Sequence, residues 1–589
     1  MNDKLTFFDI EVFQHNSMVV FKNYGGETVK VFSSSLNGLG EYIDKGIITN
    51  VGYEGLEDYI RDKTLVGYNN YHYDDYIIYA MSKKLPQEII KQWNDSIIQN
   101  KSLVGMKKIT CCKTLDAYQQ ISVSRPGLKR VAGNVGISIV ESSVDFNIDR
   151  ELTPEENLEV LKYCEYDVEA TMNIFKMRSN YFKTKNSIID MMKDRNLQKR
   201  AYKWNTTSIV GQLLKPKRMR KSKRFVDDNL FEYVPHEVIE MWRELDTTQD
   251  YKFKQKKVVI EEFNNVIEFG WGGLHGAPKG VTRRKNVKLM DVSSMYPNIL
   301  INFRGLEEKT EYYKNILETR LKLKHEGKKE EQAPLKLILN STYGLLNNKF
   351  SPLNNPKLAF SICIYGQISL YVLSKRLANI GAEIININTD GIAYCINNDN
   401  DLKVKEEWEK EFKLDLDVED YKEWVQSGVN GYVATRIEGD GKVSVKTKGG
   451  DVNKALKDQF FGNNDIRITH IALVNKLLYN TPIEETIYQN LDNPLLFQYI
   501  LTPGRTYQGV VEMNNPDKLL DTRINRVFAA KKGIEIVKKR IDGGTAKFPD
   551  SPDKMLVWND DVKDLTNFKD IIDVQWYYDL TIKNLQRWI

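Results

Sequence analysis

"IININTDGIAYCI", residues 384–396, is an apolar run that breaks at one carboxylate and resumes. Ile384, Ile385 and Ile387 lead in, and Ile392, Tyr394 and Ile396 lead out. Between them, Asn388-Thr389-Asp390-Gly391 has the composition of a turn joining two β-strands. This reading holds a single acid, Asp390, at the tip of a hairpin, with an amide two residues before it. An acid so placed needs partners, and the rest of the chain supplies candidates.

At 589 residues, of which 41% are hydrophobic, the chain is globular and long enough for several domains. No apolar run reaches the roughly 18 residues of a membrane span. The N-terminus "MNDKLTFFDIEVF" lacks a basic region followed by a long apolar core, so no secretory signal is expected. The five cysteines form no C-x-x-C pair and the six histidines are scattered, which speaks against a zinc site. A sparse, odd cysteine set suits a reducing cytosol, so a cytoplasmic location is expected. The net charge of +5 says little, but its distribution says more. "KPKRMRKSKR", residues 215–224, holds seven Lys or Arg, and "TRRKNVK" follows at 282–288. Such runs are either solvated loops or contacts with nucleic-acid phosphates, and the first is also a candidate linker. There are no internal repeats and no low-complexity tract.

Three N-terminal segments carry acids. "LTFFDIEVF" (5–13) reads as a buried strand, on which Asp9 and Glu11, at i and i+2, share a face. Two acids side by side repel unless a cation lies between them; the alternative is an edge strand with its polar face in water. "LVGYNNYHYDDYIIYA" (65–80) brings Asn69-Asn70 and then Asp74 and Asp75. "LTPEENLEVLKYCEYDVEATMNIF" (152–175) opens as a helix, with Thr153 as N-cap, Pro154 next and Glu156 three after the cap. On it Tyr163 and Asp167 are i and i+4 and share a face. Asp9, Glu11, Asp74 and Asp167 thus suit two divalent ions about 4 Å apart for phosphodiester hydrolysis, with Tyr163 placed to orient the water.

Central segments carry the rest. "NVKLMDVSSMYPNILINF" (286–303) reads as a strand ending near Asp291, a turn, and a helix from Pro297, with Tyr296 just before it. "APLKLILNSTYGLLNNKF" (333–350) reads as a helix with Lys336, Asn340 and Tyr343 on one polar face. "ILETRLKLKHEGKK" (316–329) is a second helix, with Arg320 and Lys324 at i and i+4. An antiparallel pair of these helices aims Arg320, Lys324 and Lys336 at one place, which suits a triphosphate; the alternative is two solvated amphipathic helices.

The N-terminal pattern resembles the proofreading 3′–5′ exonuclease domain of DNA polymerases, the DEDD type. That family's motifs run D-x-E, then N-x-x-x-D with an aromatic before the acid, then Y-x-x-x-D. They are matched by Asp9 and Glu11, by Asn70 to Asp74 with Tyr73, and by Tyr163 and Asp167. The central pattern resembles family B DNA polymerases. D-x-x-S-x-Y-P appears as Asp291, Ser294, Tyr296 and Pro297; K-x-x-x-N-S-x-Y-G appears as Lys336, Asn340, Ser341, Tyr343 and Gly344. The family's next motif, D-T-D at a hairpin tip, is Asn388-Thr389-Asp390 here, and its K-x-Y is Asn430 to Tyr432.

The resemblance implies a multidomain α/β and α+β protein, an RNase H-like exonuclease domain followed by a right-hand polymerase. Its expected boundaries are 1–185 exonuclease, 186–280 linker and start of palm, 281–305 palm, 306–360 fingers, 361–450 palm, and 451–589 thumb and C-terminal region. It implies two Mg²⁺ ions per active site, with Mn²⁺ as the alternative, held by Asp291 and Asp390 in one site and by Asp9, Glu11, Asp74 and Asp167 in the other. Tyr296 would lie under the sugar; Arg320, Lys324, Lys336, Asn340 and Tyr343 would bind the nucleotide. Asn70, Tyr73, Tyr432, Lys446 and Lys448 would touch DNA. "FGWGGLHGAP" (269–278) loosely resembles the glycine-rich segment before the palm.

The implied partners are primer–template DNA and dNTPs, with a single-stranded DNA-binding protein or helicase as candidate accessories, no membrane, and a monomeric chain. Only 45 positions separate Asp291 from Lys336 and 54 separate Lys336 from Asp390, too few for the inserts of protein-primed relatives. A pared-down phage or plasmid replicase is expected, in the host cytoplasm if phage-encoded. Two rivals remain: a nuclease whose polymerase half has decayed at Asn388 and Asn430, and a non-catalytic single-strand-binding protein. Beyond 450, "TRINRVFAAKKGIEIVKKR" (522–540) is read as a basic helix of a thumb, and "IIDVQWYYDLTIKNLQRWI" (571–589) as a helix with a core-packing stripe.

Overall fold

The computed structural model describes residues 5–122, 124–219, 226–252, 254–453, 455, 456 and 466–589. The apolar run Leu5–Val12 forms β1, antiparallel to β2 (Ser17–Lys22), which pairs in turn with β3 (Thr28–Ser33). On its other edge β1 runs parallel to β4 (Thr64–Gly67), and β4 to β5 (Lys113–Asp116), so one mixed sheet has the order β3-β2-β1-β4-β5.

The period-2 alternation of β1 divides its residues between two cores. Phe8, Ile10 and Val12 pack with Ile77, Ile78 and Met81 of α1 (Asp74–Ser82). Phe7 packs on the other face with Val160, Leu161, Cys164 and Val168 of a long helix. Asp9 and Glu11, in step with Phe7, therefore look toward that helix. Between these helices in sequence, α2 (Leu128–Asn134) packs on the long helix α3 (Pro154–Met177). Helix α3 starts with the capping box read from sequence: Thr153 Oγ1 accepts from Glu156 N, and the Glu156 carboxylate accepts from Thr153 N.

The second sheet is wholly antiparallel. It is built from β6 (Val258–Glu262), β7 (Asn265–Phe269), β8 (Leu274–Ala277), β9 (Thr282–Val292), β10 (Glu383–Asn388), β11 (Gly391–Cys395), β12 (Leu416–Gly428), β13 (Gly431–Ile437) and β14 (Val443–Lys448). Its order is β14-β13-β12-β9-β11-β10-β8-β7-β6. Four helices follow β9 in sequence: α4 (Met295–Asn302), α5 (Thr310–His325), α6 (Lys329–Leu346) and α7 (Pro356–Asn379). α4 begins two residues before the expected Pro297. α7 is long and apolar enough to cross a membrane, yet 89% of its apolar window is buried here, as a core helix of the largest cluster.

The C-terminal residues form two small sheets. One has the order β15-β18-β21, from Tyr499–Leu501, Asn525–Ile534 and Met555–Val557; the other has the order β17-β16-β19-β20, from Asn515–Leu519, Tyr507–Glu512, Ile536–Arg540 and Thr545–Ala546. The helix expected over 522–540 is thus two strands, β18 and β19. The basic spacing suggested a helix, but Val527, Ile534, Ile536 and Val537 are β-branched. Gly533 also lies so close to the β21 backbone that a Cβ there would meet Met555 O at 2.2 Å. The final helix, α8 (Val574–Leu585), does pack as core, with Tyr577 and, just after it, Trp588 buried. Of the basic run 215–224, Lys217 donates its N–H to Glu308 Oε1 at 2.6 Å, and residues 220–224 lie outside the described residues.

Candidate active sites: two carboxylate centres

The opening hairpin is a tight one: Asn388 of β10 pairs with Gly391 of β11, leaving Thr389 and Asp390 at the tip. Thr389 adopts a left-handed φ of 60°, a strained choice for a β-branched residue. Neighbours hold it there. Thr389 N donates to Leu274 O at 2.9 Å, His275 Nε2 lies 3.2 Å from Thr389 Oγ1, and a Cβ on Gly273 would fall 2.5 Å from Thr389 Cα. The glycine-rich segment 269–278 is therefore packed against the hairpin tip.

Strand register brings the second acid alongside. Gly391 pairs with Asp291 of β9, and β9 pairs on its other side with β12, Asp291 opposite Asp417. A Cβ at Gly391 would come within 2.9 Å of Asp291 Oδ1, so glycine leaves the room that this carboxylate occupies. The Asp291 carboxyl is pushed up to about 7, by burial first and then by the charge of Asp390, with Lys446 pulling it down. Asp390 is raised too, chiefly by burial, with Lys448 opposing. Two neighbouring acids that are both raised, one of them also by the charge of the other, are a donor set that a divalent cation would relieve.

The neighbours of these acids come from β13 and β14. Tyr432 stacks on Trp424 with ring centroids 4.4 Å apart, and its hydroxyl is pushed up to about 12 by burial and by Asp291 and Asp390. Lys446 Nζ donates to Tyr421 OH at 3.0 Å and lies 3.6 Å from Glu419. Lys448 Nζ donates to Asn388 Oδ1 at 3.0 Å. Asn388 Nδ2 donates to Val429 O at 2.8 Å and to Asn430 Oδ1 at 3.2 Å.

Helices α5 and α6 form an antiparallel pair, Tyr313 OH reaching Leu339 O at 3.2 Å. Two of its cations reach toward the ends of β9 and β12. Arg320 donates to Ser294 Oγ at 2.9 Å, and Lys324 lies 3.6 Å from Asp417, the residue opposite Asp291. Tyr296 and Tyr343 meet with centroids 4.5 Å apart. Lys336 and Asn340 are exposed on α6.

The N-terminal centre is more buried. Glu11, Asp74 and Asp167 are 8%, 3% and 6% exposed. Burial first, and the neighbouring acids next, raise Asp9, Glu11 and Asp74 well above the usual carboxylate range. Asp74 and Asp75 separate by environment. Asp75 accepts from Asn70 Nδ2, Thr114 Oγ1 and Lys203 Nζ at 2.9, 3.1 and 3.1 Å, a structural role. Asp74 Oδ1 is buried with no hydrogen-bond partner and feels the charge of Asp9. An orphaned buried carboxylate oxygen beside other acids fits a metal-binding centre. Asn70 is fully buried on Asp75, while Tyr73, whose OH donates to Asn94 Oδ1 at 2.6 Å, stays partly exposed.

Two residues of this centre escaped the sequence reading. Lys129 of α2 donates to Asp167 Oδ1, and its ammonium stands 4.3 Å from the Tyr163 ring centroid. Cys164 lies 4.0 Å through Sγ from Asp9 Oδ2. Lys129 sits in a short helix, 38 positions before Asp167, with no motif to mark it; Cys164 follows Tyr163 directly on α3 but entered the reading only as one of five cysteines without a C-x-x-C pair.

No protein-family model matches the chain, and no characterised protein sequence does. Among solved structures the chain is similar to the family B DNA polymerase from the hyperthermophilic archaeon Pyrobaculum calidifontis. That similarity has 14% identity, covers 99% of this chain and 77% of that one, and has a TM-score of 0.40. A likeness of that degree assigns no residue a role.

Proposed function

We propose that the chain is a template-directed DNA polymerase that adds dNTPs to a primer 3′ end and trims mispaired ends with a 3′–5′ exonuclease, for phage or plasmid replication. The observation that carries this reading is the presence of two separate carboxylate centres on two separate sheets. In each, burial raises the carboxyls above their ordinary range, and each carries the residues of one half of the motif resemblance. Asp291 and Asp390 would hold divalent ions, Mg²⁺ in preference to Mn²⁺, at the palm; Asp9, Glu11, Asp74 and Asp167 would hold them at the trimming site. When bound, such ions supply Lewis-acid stabilisation of charge on the reacting phosphate.

The chain's own residues do the positioning. Tyr296, backed by Tyr343, carries the sugar of the incoming nucleotide. Arg320 and Lys324 face the palm acids from α5, and Lys336 and Asn340 offer an open cationic and amide surface for the remaining phosphates. Tyr432, Lys446 and Lys448 line the primer side. In the N-terminal centre, Tyr163 orients the attacking water and Lys129 balances charge at Asp167. Primer–template DNA and dNTPs are the substrates; a single-stranded DNA-binding protein or helicase would act beside a monomeric, cytoplasmic chain.

The test is extension of a labelled primer on single-stranded template in Mg²⁺, by wild type and Asp390→Asn. Template-directed extension that falls by several orders of magnitude in Asp390→Asn supports the reading. Trimming without any extension by the wild type would leave the decayed-polymerase rival standing.

A further inference from the structure

We propose that Cys164 is a metal-binding side chain: with Asp9 and Glu11 it forms a mixed sulfur–oxygen site that takes a thiophilic divalent cation, Zn²⁺ or Cd²⁺, in place of the ions that support trimming. One ligand atom from each of the three residues lies within 4.8 Å of the others, and Cys164 Sγ stands 4.0 Å from Asp9 Oδ2. Metal–sulfur and metal–oxygen bonds of about 2.3 and 2.0 Å at a tetrahedral angle place S and O roughly 3.5 Å apart, so about half an ångström of closure brings Cys164 and Asp9 to chelating distance.

A second observation points to a cation in the same place. Asp74 is 3% exposed, its Oδ1 has no hydrogen-bond partner, the charge of Asp9 acts on it, and its own charge acts on Glu11. Meanwhile Asp167, which an all-oxygen set would use, has Oδ1 engaged by Lys129. The donors left facing one another are thus two or three carboxylates and a thiol. On binding, the thiol releases its proton to solvent, and thiolate, Asp9 and Glu11 enclose the dication with three negative charges. Thiolate softness favours Zn²⁺ and Cd²⁺ over Mg²⁺ at such a set. The consequence is a trimming centre that thiophilic ions switch off while the palm, whose acids have no sulfur neighbour among these contacts, keeps working.

That consequence rests on the trimming activity proposed above; the binding itself does not. The experiment uses the full chain in a Cys111→Ser/Cys112→Ser background, which removes the adjacent thiol pair. Cd²⁺ is titrated without DNA while the ultraviolet thiolate-to-cadmium charge-transfer band is followed. Cys164→Ser, Cys164→Ala and Asp9→Asn are compared, each checked for an unchanged melting transition in chelator. In parallel, Zn²⁺ is titrated into Mg²⁺-supported trimming and primer extension. The expected result is a band lost in both Cys164 variants and at least tenfold weaker in affinity in Asp9→Asn. The Zn²⁺ concentration that halves trimming should exceed the wild-type value at least tenfold in Cys164→Ser. A band that survives in the Cys164 variants, or one lost in them yet indifferent to Asp9→Asn, overturns the site. If the wild type trims nothing in Mg²⁺, the proposed exonuclease falls and the band alone decides the inference.

Discussion

Lys446 bears on the acid whose ionisation the proposed palm centre would need in order to take up metal. Its ammonium lowers the carboxyl of Asp291, while Asp390, Glu419 and Asp417 raise it, and burial raises it most, to about 7. An acid at about 7 is roughly one-tenth ionised at pH 6 and nine-tenths at pH 8. A cation that needs the ionised form should therefore gain about tenfold in apparent affinity across those two units, with one proton displaced. The same shift has a sign for stability. The folded, metal-free centre holds a proton that the unfolded chain releases near pH 4, so metal-free stability falls as pH rises from there through about 7, and metal restores it. Lys446→Met removes the cation that lowers Asp291, while Glu419 keeps Arg436 at 3.1 Å, so the loss of Lys446 itself pushes Asp291 further up. Single-turnover incorporation at Mg²⁺ well below saturation, from pH 5.5 to 8.5, should show an acid limb near pH 7 that moves upward in Lys446→Met. At saturating Mg²⁺ both limbs should move down, because the ion outcompetes the proton. A wild-type profile flat between pH 6 and 8 at limiting Mg²⁺, or a limb that moves downward in the variant, would refute the electrostatics.

Asp74→Asn should cut trimming by at least about a hundredfold, leave extension intact and slightly raise the metal-free melting temperature, since it removes one of several crowded charges. Asp75→Asn should instead lower the melting temperature, because Asn70, Thr114 and Lys203 lose a buried charged acceptor; equal behaviour of the two variants in both assays would void the distinction. Asn388→Asp sets a carboxylate against Val429 O and Asn430 Oδ1, now 2.8 and 3.2 Å from an amide donor, and should cost about 1–3 kcal/mol in urea unfolding. Adding Asn430→Lys should recover it, with a coupling of about 0.5–3 kcal/mol in the double-mutant cycle, and additivity would deny that the pair acts together. Arg526→Met should cost more than about 3 kcal/mol by thermal unfolding, since Arg526 is fully buried and donates to Gln498 Oε1 and to the carbonyls of Gly133, Ile137 and Asp560; a change under 1 kcal/mol would show those carbonyls find other donors.

Local rules made much of this legible. The hairpin at Asn388–Gly391, the capping box at Thr153 and the shared face of Asp9 and Glu11 follow from turn chemistry, capping and period 2, all short-range. What depended on register was not legible. No pattern says that Gly391 faces Asp291 across one edge of β9 while Asp417 faces it across the other, or that Gly273 wedges against Thr389. Lys129 reaches Asp167 only because α2 packs on α3. The error at 522–540 has the same origin: a basic stretch can be amphipathic at either period, and the close approach of Gly533 to β21 is a tertiary fact.

The two positions at which the polymerase motifs are broken turn out to be one feature. Asn388 stands where the related motif has an acid, Asn430 where it has a lysine, and here the first donates its amide to the second at 3.2 Å. An amide–amide pair with no net charge thus occupies the two positions. The cation is not lost from the neighbourhood either, since Lys448 donates to Asn388 Oδ1 and bears on Asp390. The costly features of the centre also persist: Asp291 is held at about 7 by burial and a like charge, and Thr389 is kept left-handed by Gly273 and Leu274. Each is a strain that many single substitutions would relieve, and a chain with no use for the centre would be more stable without them. Under the proposed function, their joint presence argues for a centre in use rather than a decayed one.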